Sequence, residues 1–157
     1  MKKTKNYLNR NFKKERNEDL LPAKKRSELM SKIRSRDTKF EREFIVSLRK
    51  ATRKKFQTNV TSIKGKPDIV FRKDKVCVFL DSDFWHGWYY PRWAHLLKND
   101  FWRNKIDMNR KRDRNVCTHL RANGWTVLRL WEHKIKLNLA GSIGRVVREL
   151  NKRKSTA

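Results

Sequence analysis

A run of five apolar residues, from Val76 to Leu80, sets the tightest limit on how this chain can fold. The run lies between a charged turn and an acidic segment, and it has the length of a strand. A continuous apolar run, without polar residues at alternate positions, is typical of a strand that is buried on both faces of its sheet. Such a strand needs a covering layer on either side, which helices supply in α/β proteins.

The segments around this run have the patterns of an α/β domain. Thr38 and Glu41 have the spacing of a helix capping box, and apolar residues follow them at helical spacing. Gly124 is expected to end a helix in the left-handed conformation. Further strands and helices are predicted, in chain order, at 56–60, 68–71, 101–109, 112–122, 125–131 and 143–150. The predicted fold is a small mixed β-sheet sandwiched between helices.

Charge limits the choice of partner. Lys and Arg total 42 of the 157 residues against 16 Asp and Glu, so the formal net charge is +26. This charge favours a polyanion, because each phosphate that is neutralised releases counterions. No apolar run has the length of a membrane-spanning helix or a signal-peptide core, so nucleic acid is favoured over a membrane. On composition alone, architectural DNA or RNA binding without chemistry stays open.

The length of the chain allows one domain with one sizeable core. Residues 1–24 are rich in Lys, Arg and Asn, and we expect them to form a flexible basic arm that contacts phosphates. A solvated tail without a partner is the alternative for this segment. Residues 25–157 are predicted to form a single domain, which begins with a short helix capped by Ser27.

The cysteine pattern bears on the compartment. The chain has two cysteines, Cys77 and Cys117, both in apolar stretches, and it has no CxxC pair. A disulfide framework and a thiolate metal site are therefore disfavoured, and a cytoplasmic location is predicted.

Acidic residues stand where two predicted strands begin and end. Asp68 opens one strand and Asp81 closes the next, and these positions lie side by side in an antiparallel pair with a short turn. Two carboxylates at the end of a sheet suit a hard divalent cation such as Mg²⁺, with Mn²⁺ as a substitute. The cation would activate water for attack on a phosphodiester. His86 is a candidate to accept the proton of that water.

Each of these residues also has a structural interpretation. An Asp at a strand end is commonly a turn or cap residue, and a lone His is more often structural than catalytic. It is the combination of Asp68, Asp81 and His86 with the high positive charge that indicates a phosphodiester-cleaving site.

Several motifs between about residues 25 and 135 resemble, in order and nearly in spacing, those of the very-short-patch-repair DNA endonucleases. They are Gly65-Lys66-Pro67-Asp68, Asp81-Ser82-Asp83-Phe84-Trp85-His86-Gly87, Phe101-Trp102-x-x-Lys105-x-x-x-Asn109-x-x-Arg112-Asp113, Gly124-Trp125-x-Val127 and Trp131-Glu132. Upstream, Met30 and Arg36-Asp37-Thr38 with Glu41 match the opening helices of that family. The resemblance implies the three-layer restriction-endonuclease-like α/β fold.

The resemblance also implies an activity and a site. The expected reaction is a Mg²⁺-dependent nick 5′ to the T of a T:G mismatch in double-stranded DNA. Asp68 would be the central metal ligand, with the backbone carbonyl of Leu80 and the neighbouring Asp81 beside it. His86 would act as general base or position the water, and Glu41 would support the site from the first long helix, in addition to its capping role.

Met30, Phe84 and Trp85 match the apolar wedge of the family. A side chain inserted between base pairs unstacks them at a cost of about a few kcal/mol, and less at a mismatch, so a wedge converts weak pairing into recognition. Packing of Phe84 and Trp85 in the core is the alternative.

Four further residues are candidates for phosphate or base-edge contacts: Lys66, Lys105, Asn109 and Arg112. A solvated helix face is the alternative for the last three. Asp113 could orient Arg112 or anchor its helix.

One departure from the family concerns its structural zinc. The family holds this zinc with Cys and His residues at positions where this chain has Asp83, Trp88, Tyr90 and His133. Asp83 and His133 are only weak candidate ligands, because a structural zinc site has four ligands, commonly including thiolates. We therefore expect no structural zinc. Aromatic residues are predicted to pack in its place, namely Trp88, Tyr89, Tyr90 and Trp93.

Two other departures widen the choice of function. Asp81 stands where some members have a second His, which removes a candidate proton donor for the leaving group. The basic arm and the net charge favour tight, less discriminating DNA binding. A site-specific endonuclease of phage or mobile-element type, homing- or restriction-like, is therefore the first alternative, and a non-catalytic nucleic-acid-binding protein is the second. The expected enzyme is a monomer on DNA from a bacterium, an archaeon or a phage, and repair proteins stay open as further partners.

Overall fold

The computed structural model describes residues 38–96 and 100–152. The predicted basic arm at 1–24, the short helix capped by Ser27 and the wedge candidate Met30 lie outside the described residues. Within the described part, no helix combines the length and the apolar character needed to cross a membrane.

One four-stranded sheet forms the middle layer. Its strands, in sheet order, are β1 (Gln57–Thr58), β2 (Ile69–Phe71), β3 (Val76–Asp81) and β4 (Thr126–Trp131). Strand β2 pairs antiparallel with both β1 and β3, and β3 pairs with β4 in parallel, so the sheet is mixed as predicted. The parallel register runs from Val76 opposite Thr126 to Asp81 opposite Trp131.

Helices cover both faces of this sheet. They are α1 (Lys39–Ala51), α2 (Tyr90–Trp93), α3 (Asp100–Ala122), α4 (Glu132–Leu137) and α5 (Leu139–Lys152), with a 3₁₀ turn at Ala94–Leu96. Helices α1, α4 and α5 share one apolar cluster with one face of the sheet, and α3 shares a second cluster with the other face. The three-layer α/β fold that the sequence predicts is therefore confirmed.

Strand β3 joins the two halves of the core. Val76, Val78 and Leu80 belong to the cluster on the α1 side, whereas Cys77 and Phe79 belong to the cluster on the α3 side. All six residues of the strand are buried. The prediction that this run is covered on both faces is confirmed.

The structure differs from the sequence-based prediction in several elements, and the short helix α2 and the 3₁₀ turn after it are among those not predicted. Two helices were expected at 101–109 and 112–122, but α3 is one continuous helix of 23 residues. Arg110 and Lys111, which link the two patterns, are good helix formers, so nothing interrupts the backbone hydrogen bonds. Strand β1 has only two residues, and the short helix α4, which directly follows β4, was not predicted.

The loop before β2 is fixed by close contact with α3. Gly65 has a φ of +84°, and a Cβ at this position would lie 2.3 Å from Cγ1 of Val116. Lys66 also has a positive φ, of 52°, which is strained for a residue with a side chain. The buried Pro67 follows and leads directly into Asp68. Tight packing of this loop therefore sets the position of the first acidic residue of the site.

Replacing Gly65 with Ala is expected to destabilise the protein more than replacing Gly124 with Ala. Gly124 also has a positive φ, of +78°, so left-handed strain of about 1–2 kcal/mol is common to both substitutions. At Gly65 the overlap with Val116 adds about 1–3 kcal/mol, whereas the nearest atom to a Cβ at Gly124 is Nζ of Lys75 at 3.8 Å. Urea denaturation of the two variants measures the difference, and equal losses of stability would contradict tight packing of the loop.

Candidate active site

A cleft of about 110 Å³ opens at the end of the sheet where β3 finishes, between α1 and α3. A volume of this size can hold several water molecules. Its lining includes most of the charged residues that the sequence singled out, together with Asp113 and Arg129: Glu41, Lys66, Asp68, Asp81, His86, Asp113, Arg112 and Arg129. Leu80 also lines the cleft. The antiparallel pairing of β2 and β3 thus brings Asp68 and Asp81 to one place, as expected.

Asp68 is a carboxylate in an unfavourable position for its charge. Its Oδ2 accepts a hydrogen bond of 2.7 Å from the backbone N–H of Leu80. Burial nevertheless raises the pKa of Asp68 from 3.8 to about 6, and the nearby charges of Glu41 and Asp81 add to the rise. A cation in the cleft would relieve this cost, because it favours the ionised carboxylate.

Glu41 occupies both of the positions proposed for it. It lies in the first turn of α1, where its Oε2 accepts the backbone N–H of Thr38 at 3.3 Å. The residue is 8% exposed, and it also lines the cleft beside Asp68. The capping bond explains how a glutamate is held at the wall of an acidic cleft.

Asp81 is held by an arginine that the sequence analysis did not consider. Arg129 of β4 donates from Nε to Oδ2 of Asp81 and from Nη2 to Oδ1, both at 2.6 Å. Asp81 is only 1% exposed. Both of its carboxylate oxygens are therefore engaged by one guanidinium, in the bidentate geometry that suits this pair. Its predicted role as a metal ligand stays a prediction, in competition with this contact.

His86 forms a close pair with Asp113 of α3. Nδ1 of His86 lies 2.6 Å from Oδ2 of Asp113, and Nη2 of Arg129 lies 3.0 Å from the same oxygen. Burial alone would raise the pKa of Asp113, but the hydrogen bond from His86 and the charge of Arg129 together hold it below its usual value. An ionised Asp113 can only accept, so Nδ1 carries the hydrogen and Nε2 of a neutral imidazole has a free lone pair. This arrangement gives His86 the tautomer of a general base.

Phe84 and Trp85 pack with Trp102 of α3 and not in the main core. The Phe84 ring centroid lies 5.1 Å from that of Trp85 and 6.0 Å from that of Trp102, and the two tryptophan rings are 5.6 Å apart. Both Phe84 and Trp85 are partly exposed. Nδ2 of Asn109 donates to the carbonyl of Trp85 at 3.0 Å. These residues form an aromatic surface beside the cleft, fixed from α3.

The other candidate DNA contacts lie on accessible surfaces. Lys105 is exposed on α3, and Lys66 and Arg112 are exposed at the cleft. Nδ2 of Asn109 donates to the carbonyl of Trp85, so Asn109 holds the loop after β3 in place. Asp113 contacts Arg112 at 3.4 Å, but its shorter bond is to His86, which was not among the roles expected for it.

The weak zinc candidates, Asp83 and His133, contact each other directly. Nδ1 of His133 lies 2.7 Å from Oδ1 of Asp83, and the Trp88 ring lies 4.5 Å from the imidazole. Trp88 also packs on Trp131 and Tyr89, with centroid distances of 4.9 and 4.6 Å. In residues 38–96 and 100–152, no three His, Cys, Asp or Glu side chains are grouped so that they could hold a metal ion.

Tyr90 contacts α3, and its expected place beside the Asp83–His133 pair stays a prediction. Its ring packs against Ile106 of α3, and its hydroxyl lies 3.3 Å from a carboxylate oxygen of Asp107. Tyr90 begins α2. The Trp93 side chain lies outside the described residues.

The sequence contained a signal for Arg129 that was not used. Arg129 is the one charged residue among the apolar residues of β4, and it stands between Leu128 and Leu130. A charged residue in a buried strand needs a partner of opposite charge. That partner is Asp81, the one acidic residue at the end of the neighbouring apolar strand.

Comparison with known proteins supports the relation that these residues suggest. The sequence profile of the family described as DNA mismatch endonuclease Vsr matches residues 18–92. The type II nicking enzyme V.NmeDIP of Neisseria meningitidis serogroup C is 38% identical over 123 residues, which cover 76% of this chain and 82% of that protein. The type II nicking enzyme V.NmeAIP of Neisseria meningitidis serogroup A is 36% identical over 139 residues, 84% of this chain and 96% of that protein.

A mismatch endonuclease is among the relatives as well. DNA mismatch endonuclease Vsr of Escherichia coli K12 is 33% identical over 108 residues, which cover 68% of this chain and 69% of that protein. Similarity of this extent and the three-layer fold together identify the family. The chain belongs to the Vsr family and is a DNA endonuclease.

Proposed function

We propose that this DNA endonuclease nicks one strand of duplex DNA 5′ to the T of a T:G mismatch, as in very-short-patch repair, in a reaction that depends on Mg²⁺. The observation that carries the proposal is the pairing of His86 with Asp113 in the same cleft as the partly buried carboxylate Asp68. A general base and a candidate metal ligand then face one space, where a phosphodiester can lie.

The chemistry of the cleft fits a magnesium ion. Asp68 and the backbone carbonyl of Leu80 would hold it, with Asp81 as the third predicted ligand. Mg²⁺ commonly binds through one or two carboxylates and keeps several waters, so a site in which Asp68 is the main carboxylate ligand suits it, and Mn²⁺ could substitute. When bound, the ion would lower the pKa of a coordinated water and neutralise negative charge on the phosphate.

The residues of the chain itself supply proton transfer and positioning. Nε2 of His86 would accept the proton of the attacking water, and the Asp113 carboxylate would stabilise the imidazolium that results. Lys66 and Arg112, exposed at the cleft, would contact the phosphates on either side of the scissile bond. One such site cuts one strand, which is why a monomer that nicks is proposed.

Mismatch selectivity would arise at the aromatic surface beside the cleft. Phe84 and Trp85 are partly exposed, and Trp102 of α3 packs against both rings. Rings placed in this way could enter between base pairs where pairing is weak. The relative from Escherichia coli is named a mismatch endonuclease, which supports this choice of substrate. Met30, outside the described residues, is proposed to complete the wedge.

A second candidate function is nicking at a particular sequence in fully paired DNA. It is favoured by the net charge of +26, since strong attraction to the phosphate backbone reduces the need for a weak base pair. Two of the relatives above are named type II nicking enzymes without reference to a mismatch. The non-catalytic alternative is not retained, because the family and the cleft both support a nuclease.

The purified protein with Mg²⁺ is expected to cut only one strand of a duplex with a T:G pair, and to leave the matched T:A duplex intact. Cleavage should disappear with EDTA or in Asp68→Asn, and His86→Ala should lower the rate by about 10²–10⁴-fold, the usual contribution of a general base. End-labelled strands on a denaturing gel report the position of the nick. Equal cutting of both duplexes would favour the second candidate, and no cutting of either duplex or of plasmid DNA with Mn²⁺ would contradict both.

Truncation of Trp85 is expected to reduce mismatch selectivity. Trp85→Ala should slow cleavage of the T:G duplex by about tenfold or more, since stacking of an aromatic side chain on a base contributes about 1–3 kcal/mol. Trp88→Ala is the matched control, because Trp88 packs on Trp131 and His133 and should affect the melting temperature instead. Unchanged selectivity in Trp85→Ala would count against the wedge.

Asp68→Asn is expected to stabilise the protein in EDTA at pH 8 and to have little effect at pH 4. The folded-state pKa of about 6 lies above the usual value of 3.8, so the folded state binds the proton more tightly. The contribution of Asp68 to the free energy of unfolding therefore falls as the pH rises from about 4 to about 6, and it stays lower at higher pH. The gain at pH 8 is about 2–3 kcal/mol, since one pKa unit is about 1.4 kcal/mol. Thermal denaturation of the variant and the unmodified protein at the two pH values measures this gain. A loss of stability in Asp68→Asn at pH 8 would contradict the raised pKa of Asp68.

A further inference from the structure

We propose that Arg129 is a positioning residue of this active site, and that Asp81 serves Arg129 and is not a ligand of the metal ion. This inference rests on the proposed hydrolytic function and narrows its metal site to Asp68 and the Leu80 carbonyl. Of the two acidic ligands that the sequence predicts, Asp68 would keep that role, and Asp81 would instead form an ion pair with Arg129.

The contacts of Arg129 join three segments of the chain. Its guanidinium grips Asp81 at the end of β3 through two bonds of 2.6 Å. Its Nη2 also lies 3.0 Å from Oδ2 of Asp113 on α3, and 3.1 Å from Nδ1 of His86 in the loop after β3. A single side chain from β4 therefore touches both members of the catalytic pair and the residue at the end of the neighbouring strand.

The ion pair between Arg129 and Asp81 is largely shielded from solvent. The Arg129 side chain is 19% exposed and that of Asp81 is 2% exposed, and the guanidinium lies over the Phe79 ring at 5.1 Å. The parallel register places Phe79 directly opposite Arg129. A buried guanidinium without its carboxylate is strongly unfavourable. If Asp81 bound a metal ion through the lone pairs that Arg129 uses, the bidentate contact would have to open, and Arg129 would keep only its contact with Asp113.

The position of Asp113 depends on the same guanidinium. Oδ2 of Asp113 is shared between Nδ1 of His86 and Nη2 of Arg129, so the carboxylate is held on two sides. The imidazole ring is in turn directed by Asp113. Arg129 thereby fixes the orientation of the general base through Asp113.

Charge balance agrees with this assignment. Asp81, Asp113 and Arg129 together carry a formal charge of −1 when His86 is neutral. Transfer of a proton from water to His86 brings the cluster to zero. Without Arg129, the negative charges of Asp81 and Asp113 would have no balancing guanidinium beside Asp68.

The test compares Arg129→Gln, Asp81→Asn and the double variant, with Asp68→Asn as the metal-ligand reference and the exposed Arg145→Gln as a control for loss of one positive charge. Arg129→Gln leaves the buried Asp81 carboxylate without its guanidinium, and Asp81→Asn leaves Arg129 with Asp113 as its remaining carboxylate. The melting temperature should therefore fall in both variants, by roughly 10 °C. The double variant has no unpaired charge from this pair and should recover most of the loss. It therefore stays folded even if a single variant does not.

Activity separates positioning from a purely structural role. In the double variant we expect the melting temperature to recover but the maximal cleavage rate to stay about 100-fold low at saturating Mg²⁺, the effect of a misplaced catalytic group. The KM for DNA should change little. Arg129→Lys, which keeps the charge but loses the fork, should restore the rate only partly. Recovery of the rate together with the melting temperature would overturn the positioning role.

Metal binding decides the role of Asp81. Mn²⁺ binding, followed by electron paramagnetic resonance, should be lost in Asp68→Asn and retained in Asp81→Asn, Arg129→Gln and Arg145→Gln. Weaker Mn²⁺ binding in Asp81→Asn but not in Arg129→Gln would make Asp81 a ligand and overturn this part of the proposal. Full cleavage by Asp68→Asn would instead contradict the proposed function, while the rates of the Arg129 and Asp81 variants would still decide the role of Arg129.

Discussion

Burial of β3 on both faces is the constraint on which the rest of the structure depends. Its alternate side chains fill two separate apolar clusters, so helices must cover the sheet on each side, and β4 must pair beside it. The strand ends at Asp81, at the edge of the cleft. Because the apolar run stops there, its end is also the place where polar chemistry becomes possible. The core and the site therefore share one boundary in the sequence.

A protein of net charge +26 gathers four carboxylates in one small cleft. Electrostatically, these carboxylates fall into two kinds. Asp81 and Asp113 are matched by Arg129, whereas Glu41 and Asp68 lie near each other, with the pKa of Asp68 raised to about 6. The unmatched half is the part that attracts a cation, and the matched half orients His86. The positive charge on the outer surface favours the approach of DNA, which the carboxylates alone would repel.

Much of the fold and part of the site could be predicted from local patterns. The capping residues Thr38 and Glu41, the apolar strand and the left-handed Gly124 act through neighbours in the chain, so their spacing is sufficient. The convergence of Asp68 and Asp81 also followed, because a short antiparallel hairpin fixes which positions lie side by side. The continuous helix α3 was missed, since two separate apolar patterns look like two helices when their packing partners are unknown.

The sequence by itself determined the α/β class, the nuclease family and the residues available for chemistry, because these depend on composition, periodicity and motif order. Tertiary structure alone decided which charges from distant segments meet. Arg129 lies 48 positions from Asp81, and Asp113 lies 27 positions from His86. Their contacts arise from the parallel pairing of β3 with β4 and from the packing of α3 across the sheet. No local spacing encodes such contacts, since an ion pair between distant residues depends on three-dimensional distance and on burial, which only the assembled layers define.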